Sequence, residues 1–303
     1  YPIGAVSVGL QGGELTDADA LKKAGAIALS DDGCNVDNAN LMRDALIHAK
    51  RLELPVLCHC EDTSMVANRA VNEGSVSRQL WMEGRPAIAE EIMVMRDAML
   101  AEETGAHVHI AHVSTKGSAQ LIRQAKRRGV DVTAETAPHY LLLTDADLQE
   151  DGRFKMNPPL RGEADRAALI EALLDDTIDM IATDHAPHSA EEKSRGLEKS
   201  AMGVVGLECA FAVLYTGLVE TGVITLERLT ELMSCAPARR FKLPGGEIKA
   251  GSPANLAVFD TDTEYTIDPA EFASMGRATP FEGWRVKGKC LMTVCAGRTV
   301  WKA

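Results

Sequence analysis

Asp32, His59, His112 and Asp184 each stand just after a short apolar run, where a β-strand would give way to a loop. Two neutral imidazoles and two carboxylates form a borderline-hard ligand set, suited to Zn²⁺ or a similar divalent ion. A carboxylate can bridge two such ions, and a metal pair can activate water and polarise a carbonyl together. A single histidine at a strand end is more often a hydrogen-bonded structural residue, but four such residues at successive strand ends favour the metal reading. His107 and His109 offer a second candidate. Alternation puts residues 108, 110 and 112 on one strand face and 107 and 109 on the other. With His112 at the site, His107 and His109 face the surrounding helices and are read as structural. Cys58-His59-Cys60 lacks a second cysteine pair at zinc-ribbon spacing.

Short β-branched runs alternating with longer amphipathic stretches would position these residues, the pattern of βα units around a parallel sheet. Strands are expected over 3–8, 25–30, 55–60, 107–112, 131–136 and 179–183, with helices over 16–24, 40–52, 86–103, 116–128, 164–174, 207–218 and 225–235. The strand ends carry Asp31-Asp32, His59, His112, His139 and Asp184-His185. Polar residues on so many strand ends favour a (β/α)₈ TIM barrel over a doubly wound sheet, because barrel chemistry gathers at the C-terminal mouth. Six strands are two short of eight, so the chain is expected to start at the third strand. Residues 187–200 read as a mobile loop beside the site. Residues 1–244 form the partial barrel in this reading, and 245–303 a small C-terminal β appendage.

The bulk properties narrow the function. The 303 residues carry a net charge of −12, with 46% hydrophobic and 25% charged residues. That balance is globular, and its sign argues against a nucleic-acid partner, which needs clustered cations. Seven scattered cysteines do not resemble a disulfide scaffold and fit a reducing cytoplasm. No stretch approaches 18 apolar residues without charge, so no membrane helix is expected.

Several segments resemble the motifs of bacterial type I dihydroorotases, of the amidohydrolase superfamily. They are Cys58-His59-Cys60-Glu61-Asp62, His112-Val113-Ser114-Thr115-Lys116, Glu135-Thr136-Ala137-Pro138-His139-Tyr140, Lys155-Met156-Asn157-Pro158-Pro159-Leu160-Arg161 and Ala182-Thr183-Asp184-His185-Ala186-Pro187-His188. The tail Gly251-Ser252-Pro253-Ala254-Asn255-Leu256 fits too. The resemblance implies that His59 and His112 bind the second metal. It implies Asp184 as a ligand of the first metal and as general acid/base. Asp32, beside Gly33, matches the aspartate that bridges the metals, at the family's spacing to His59, and is preferred to Asp31. Asn157 and His188 match substrate contacts, and the Met202-Gly203 backbone a site that hydrogen-bonds the pyrimidine ring.

The reaction so implied is reversible hydrolysis of L-dihydroorotate to N-carbamoyl-L-aspartate in pyrimidine biosynthesis, by a metal-activated hydroxide with Asp184 moving the proton. The family's first strand should also carry His-x-His and an Arg, and its second an Asn. None is here, and the chain opens on Tyr1 rather than Met. An N-terminally truncated barrel with one Zn²⁺, or two in the parent, is therefore expected, with activity of this chain alone in question. The family suggests a homodimer, with aspartate transcarbamoylase as a partner of the parent. Two readings compete. One is an allantoinase- or hydantoinase-type cyclic amidohydrolase, and the other a non-catalytic dihydroorotase-like scaffold subunit.

Overall fold

The computed structural model describes residues 1–66 and 69–303. Two compact units emerge, Tyr1–Asp147 with Pro158–Asp179, and Leu148–Asn157 with Met180–Ala303.

In chain order the first unit contains β1 (Ile3–Gly4), α1 (Ala18–Lys23), β2 (Ala28–Ser30), α2 (Ala39–Arg51), β3 (Val56–Cys58), β4 (Val71–Asn72), α3 (Ser75–Gln79), β5 (Gly84–Arg85), α4 (Ile88–Thr104), β6 (Val108–Ile110), α5 (Lys116–Arg127), β7 (Val132–Thr136), α6 (Pro138–Leu142) and α7 (Glu163–Leu174). Strands β1, β2, β3, β6 and β7 pair in that order, all parallel. Leu29 lies opposite Val56, Val56 opposite Val108 and Val108 opposite Val132, a buried row across the sheet. Such near-continuous apolar strands are what a sheet covered by helices requires. The helices obey their local signals. Asn38 caps α2 by accepting from the amides of Asn40 and Leu41, and Met42, Ala45, Leu46 and Ala49 make its buried face. Thr115 caps α5 through the Ser118 amide, and Gly105 ends α4 in the left-handed conformation at φ 64°.

The strands are shorter than the sequence suggests, and the pairing shows why. Past Gly4 the amides of Val6 and Ser7 turn to the buried Asp31 carboxylate, at 2.8 and 3.0 Å, rather than to a neighbouring strand. The small parallel pair β4–β5 was not expected from the sequence.

The second unit contains β8 (Met180–Ile181), α8 (Ala190–Lys193), α9 (Gly196–Lys199), α10 (Ala210–Leu214), α11 (Leu226–Thr230), α12 (Ala236–Arg240), β9 (Leu256–Asp260), β10 (Tyr265–Thr266), β11 (Arg285–Val286), β12 (Lys289–Cys295) and β13 (Arg298–Lys302). Antiparallel β13-β12-β9 forms the C-terminal β appendage. The segment 187–200, expected as a loop, contains helical turns. It folds into α8 and α9, with a reciprocal Ser189–Glu192 capping box and with Lys193, Leu197 and Ser200 buried. Polar composition hid these anchors, because Lys193 is buried through its hydrogen bonds rather than its hydrophobicity. No helix among the described residues is long and apolar enough to cross a membrane.

Candidate metal centre and substrate loop

The first unit brings three of the four sequence-predicted ligands together. Asp32 lies two residues past β2, His59 one past β3 and His112 two past β6. His59 Nδ1 and His112 Nε2 are 2.8 Å apart, and Asp32 Oδ1 lies 3.5 Å from each. Their candidate donor atoms all fall within 4.8 Å of one another, and this is the one such group of three found among the described residues. Both imidazoles are buried, while the Asp32 side chain is 62% exposed, so the cluster opens on its carboxylate side. Donors on one tetrahedral Zn²⁺ sit about 3.3 Å apart at Zn–N lengths near 2.0–2.1 Å. A small parting of the two rings would meet that spacing, and the set of two neutral nitrogens and a carboxylate suits the ion.

Hydrogen bonds from His112 and His59 hold the Asp32 carboxyl well below the usual carboxylate range. Burial pulls His59 down, but the carboxylates of Asp32 and Glu61 outweigh it and leave its pKa raised. Glu61 went unassigned from the sequence, although its i+2 spacing from His59 was visible. Its Oε2 lies 3.6 Å from His59 Nε2, and its Oε1 accepts from the buried Arg85 guanidinium. A carboxylate behind a ligand histidine fixes the ring's tautomer and orientation. Asp31 instead accepts from the amides of Val6 and Ser7.

His107 and His109 meet Thr133 Oγ1 at 2.8 and 2.9 Å, and His109 Nε2 approaches Glu135 at 3.2 Å. The alternation argument that set them aside does not extend to His112. Strand β6 ends at Ile110, and His112 sits at φ 36°. Asp184, past β8, is also left-handed at φ 47°. Non-glycine residues in this region cost energy and concentrate at functional sites. His139, the next strand-end histidine, is buried with Nε2 lacking a hydrogen-bond partner. Burial, helped by His112, pushes its pKa down to about 3.

The second unit holds Asp184, Asn157, His188, Met202 and Gly203. His188 Nε2 donates to the Met202 carbonyl at 2.6 Å, and the Gly203 amide donates to Lys155 O at 3.1 Å. Gly203 has φ 127°, and a Cβ there would stand 2.6 Å from Ala186 Cβ, so only glycine fits. His185 is committed to structure: its Nδ1 accepts from the Gly206 amide at 3.2 Å, and its Nε2 meets Ser274 Oγ at 3.3 Å.

The family model described as dihydro-orotase-like matches residues 1–118. A dihydroorotase of Bacillus caldolyticus is 48% identical over 302 residues, covering 99% of this chain and 71% of that protein. The chain belongs to the dihydroorotase family. Its fold is also that of solved cyclic-amide hydrolases. An L-hydantoinase (dihydropyrimidinase) from Arthrobacter aurescens aligns with TM-score 0.85 and 25% identity, covering 99% of this chain and 69% of that one. A dihydropyrimidinase from Brevibacillus agri aligns with TM-score 0.81 and 24% identity, covering 94% of this chain and 65% of that one. The chain thus spans about two thirds of these solved structures and somewhat more of the curated dihydroorotases. The amidohydrolase-type (β/α)₈ barrel expected from the sequence is the fold of these relatives. Dihydroorotase membership favours a hydrolase of that family over the hydantoinase reading.

Proposed function

We propose that this chain carries the hydrolytic machinery of a dihydroorotase, opening the cyclic amide of L-dihydroorotate to N-carbamoyl-L-aspartate and closing it in reverse. The observation that carries the reading is the convergence of Asp32, His59 and His112 in a chain 48% identical to a dihydroorotase. These three residues would hold a divalent ion, Zn²⁺ by the nature of the donor set, with one ion the minimum and a second in the complete site. When bound, such an ion supplies Lewis acidity that activates water and polarises the scissile carbonyl.

The remaining steps fall to the chain's own groups. Asp184 takes a proton from the attacking water and returns it to the ring nitrogen as the C–N bond breaks. Its backbone is left-handed, at φ 47°, a conformation that concentrates at functional sites. Asn157, His188 and the Met202-Gly203 peptide bind the carboxylate and ring. The His188 ring bears its hydrogen on Nε2, because the Met202 carbonyl can only accept. The division into a barrel over 1–244 and a β part over 245–303, a cytoplasmic location, a homodimer and association with aspartate transcarbamoylase belong to the same reading. All seven cysteines are unpaired, which supports a reducing compartment.

The test is ring opening of dihydroorotate by the metal-loaded protein and its Asp184→Asn variant. The variant should lose about 10²–10⁴-fold in kcat while keeping metal at Asp32, His59 and His112. Full turnover by Asp184→Asn would remove Asp184 from this role.

A further inference from the structure

Lys193 ends α8 and is 7% exposed. Its ammonium donates to three backbone carbonyls, those of Lys155 at 3.0 Å, Ala201 at 2.8 Å and Gly203 at 2.7 Å. An ammonium has three N–H donors, so these contacts use all of them. The cost of burying that charge, with Lys155 nearby adding to it, lowers its pKa to about 8. An apolar side chain would fill the same space without that cost.

The three carbonyls belong to the segments that carry the substrate-binding candidates. Lys155 stands two residues before Asn157, and Ala201 and Gly203 flank Met202. The Lys155 carbonyl accepts a second bond from the Gly203 amide, and His188 joins through the Met202 carbonyl. Three carbonyl dipoles converging on one point repel each other unless a cation stands among them. Glycine at 203 cannot fix its own backbone, so its direction must be imposed from outside.

We propose that Lys193 is a positioning residue for substrate binding, setting the Met202-Gly203 peptide and the Asn157 segment in the geometry that receives the substrate ring. It acts through those groups and does not itself touch substrate. This rests on the dihydroorotase reading.

The test compares Lys193→Met with Leu197→Ala in the full-length, metal-loaded protein. Leu197 is a buried packing residue of the adjacent helix α9, outside the carbonyl cluster. Lys193→Met should raise KM for dihydroorotate about tenfold, with kcat falling less, because buried carbonyls lose their donors. Leu197→Ala should lower Tm but leave KM within about twofold, because it removes no donor from the three carbonyls. An unchanged KM in Lys193→Met, or an equal rise in both variants, overturns the proposal. Hydrogen exchange at the Gly203 amide judges the anchoring without reference to substrate. It should accelerate in Lys193→Met, and unchanged exchange also overturns the proposal. A wild-type protein that leaves dihydroorotate intact would instead sink the functional reading, with the exchange result still deciding the role of Lys193.

Discussion

The candidate metal cluster and the candidate substrate loop solve the same problem, holding polar groups at fixed positions, by opposite means. Asp32, His59 and His112 come from three loops far apart in sequence, His59 and His112 being 53 positions apart. Each is held by the parallel strand it follows. Met202 and Gly203 follow no strand of comparable length, and the hydrogen bonds that fix them come from His188, Lys193 and Lys155. The cluster therefore borrows its rigidity from the sheet, whereas the loop is held by one buried cation and a few carbonyls. Damage to the cluster should appear in metal content, and damage to the loop in substrate affinity.

The strongest way to break this contrast is His112→Ala. Removing one of two imidazoles from the group should bring metal content to background, with turnover lost too, while the chain stays folded on its sheet. Retained stoichiometric metal by elemental analysis would show that the cluster is not the site. A smaller effect is expected of Glu61→Gln, which leaves the ligands in place but weakens the orientation of His59. Metal affinity should fall by about 10–100-fold in a chelator competition. An unchanged affinity would make Glu61 a partner of Arg85 only.

The smallest effect concerns stability and is best measured on the chelator-treated protein. His139 keeps a folded-state pKa of about 3 against an ordinary value of 6.5. Above pH 6.5 both folded and unfolded forms leave it neutral. Below that, the unfolded chain takes up the proton and the folded chain does not, until the pH falls to the folded value. Stability present above 6.5 is thus lost on acidification, by about 2 kcal/mol on reaching pH 5. His139→Phe cannot take up that proton and should show a flatter stability-versus-pH curve in denaturant unfolding. Parallel curves for the two proteins would show that His139 does not drive the acid loss.

Much of this was legible in the residues. The βα alternation follows from periodicity, and the helix 116–128 from its periodicity and its Thr115 cap, which are local. Asp32, His59 and His112 were legible because each follows a short apolar run, and their order and spacing resemble one family. The reach of each strand was not legible, because apolar character continues beyond the last paired residue. That error misplaced His112 on a strand face it does not share, since a left-handed residue breaks the period of two. The loop 187–200 was misread for a related reason: composition reports polarity, not whether a polar group finds partners inside.

The sequence by itself determined which side chains could bind a divalent ion and which segments surround them, because residue type and period are properties of the chain. Only the tertiary structure decided that Glu61 stands behind His59 and that Lys193 lies buried among three carbonyls. Those outcomes depend on partners far along the chain, Arg85 for Glu61 and the Lys155 carbonyl for Lys193, and are set only when distant segments meet.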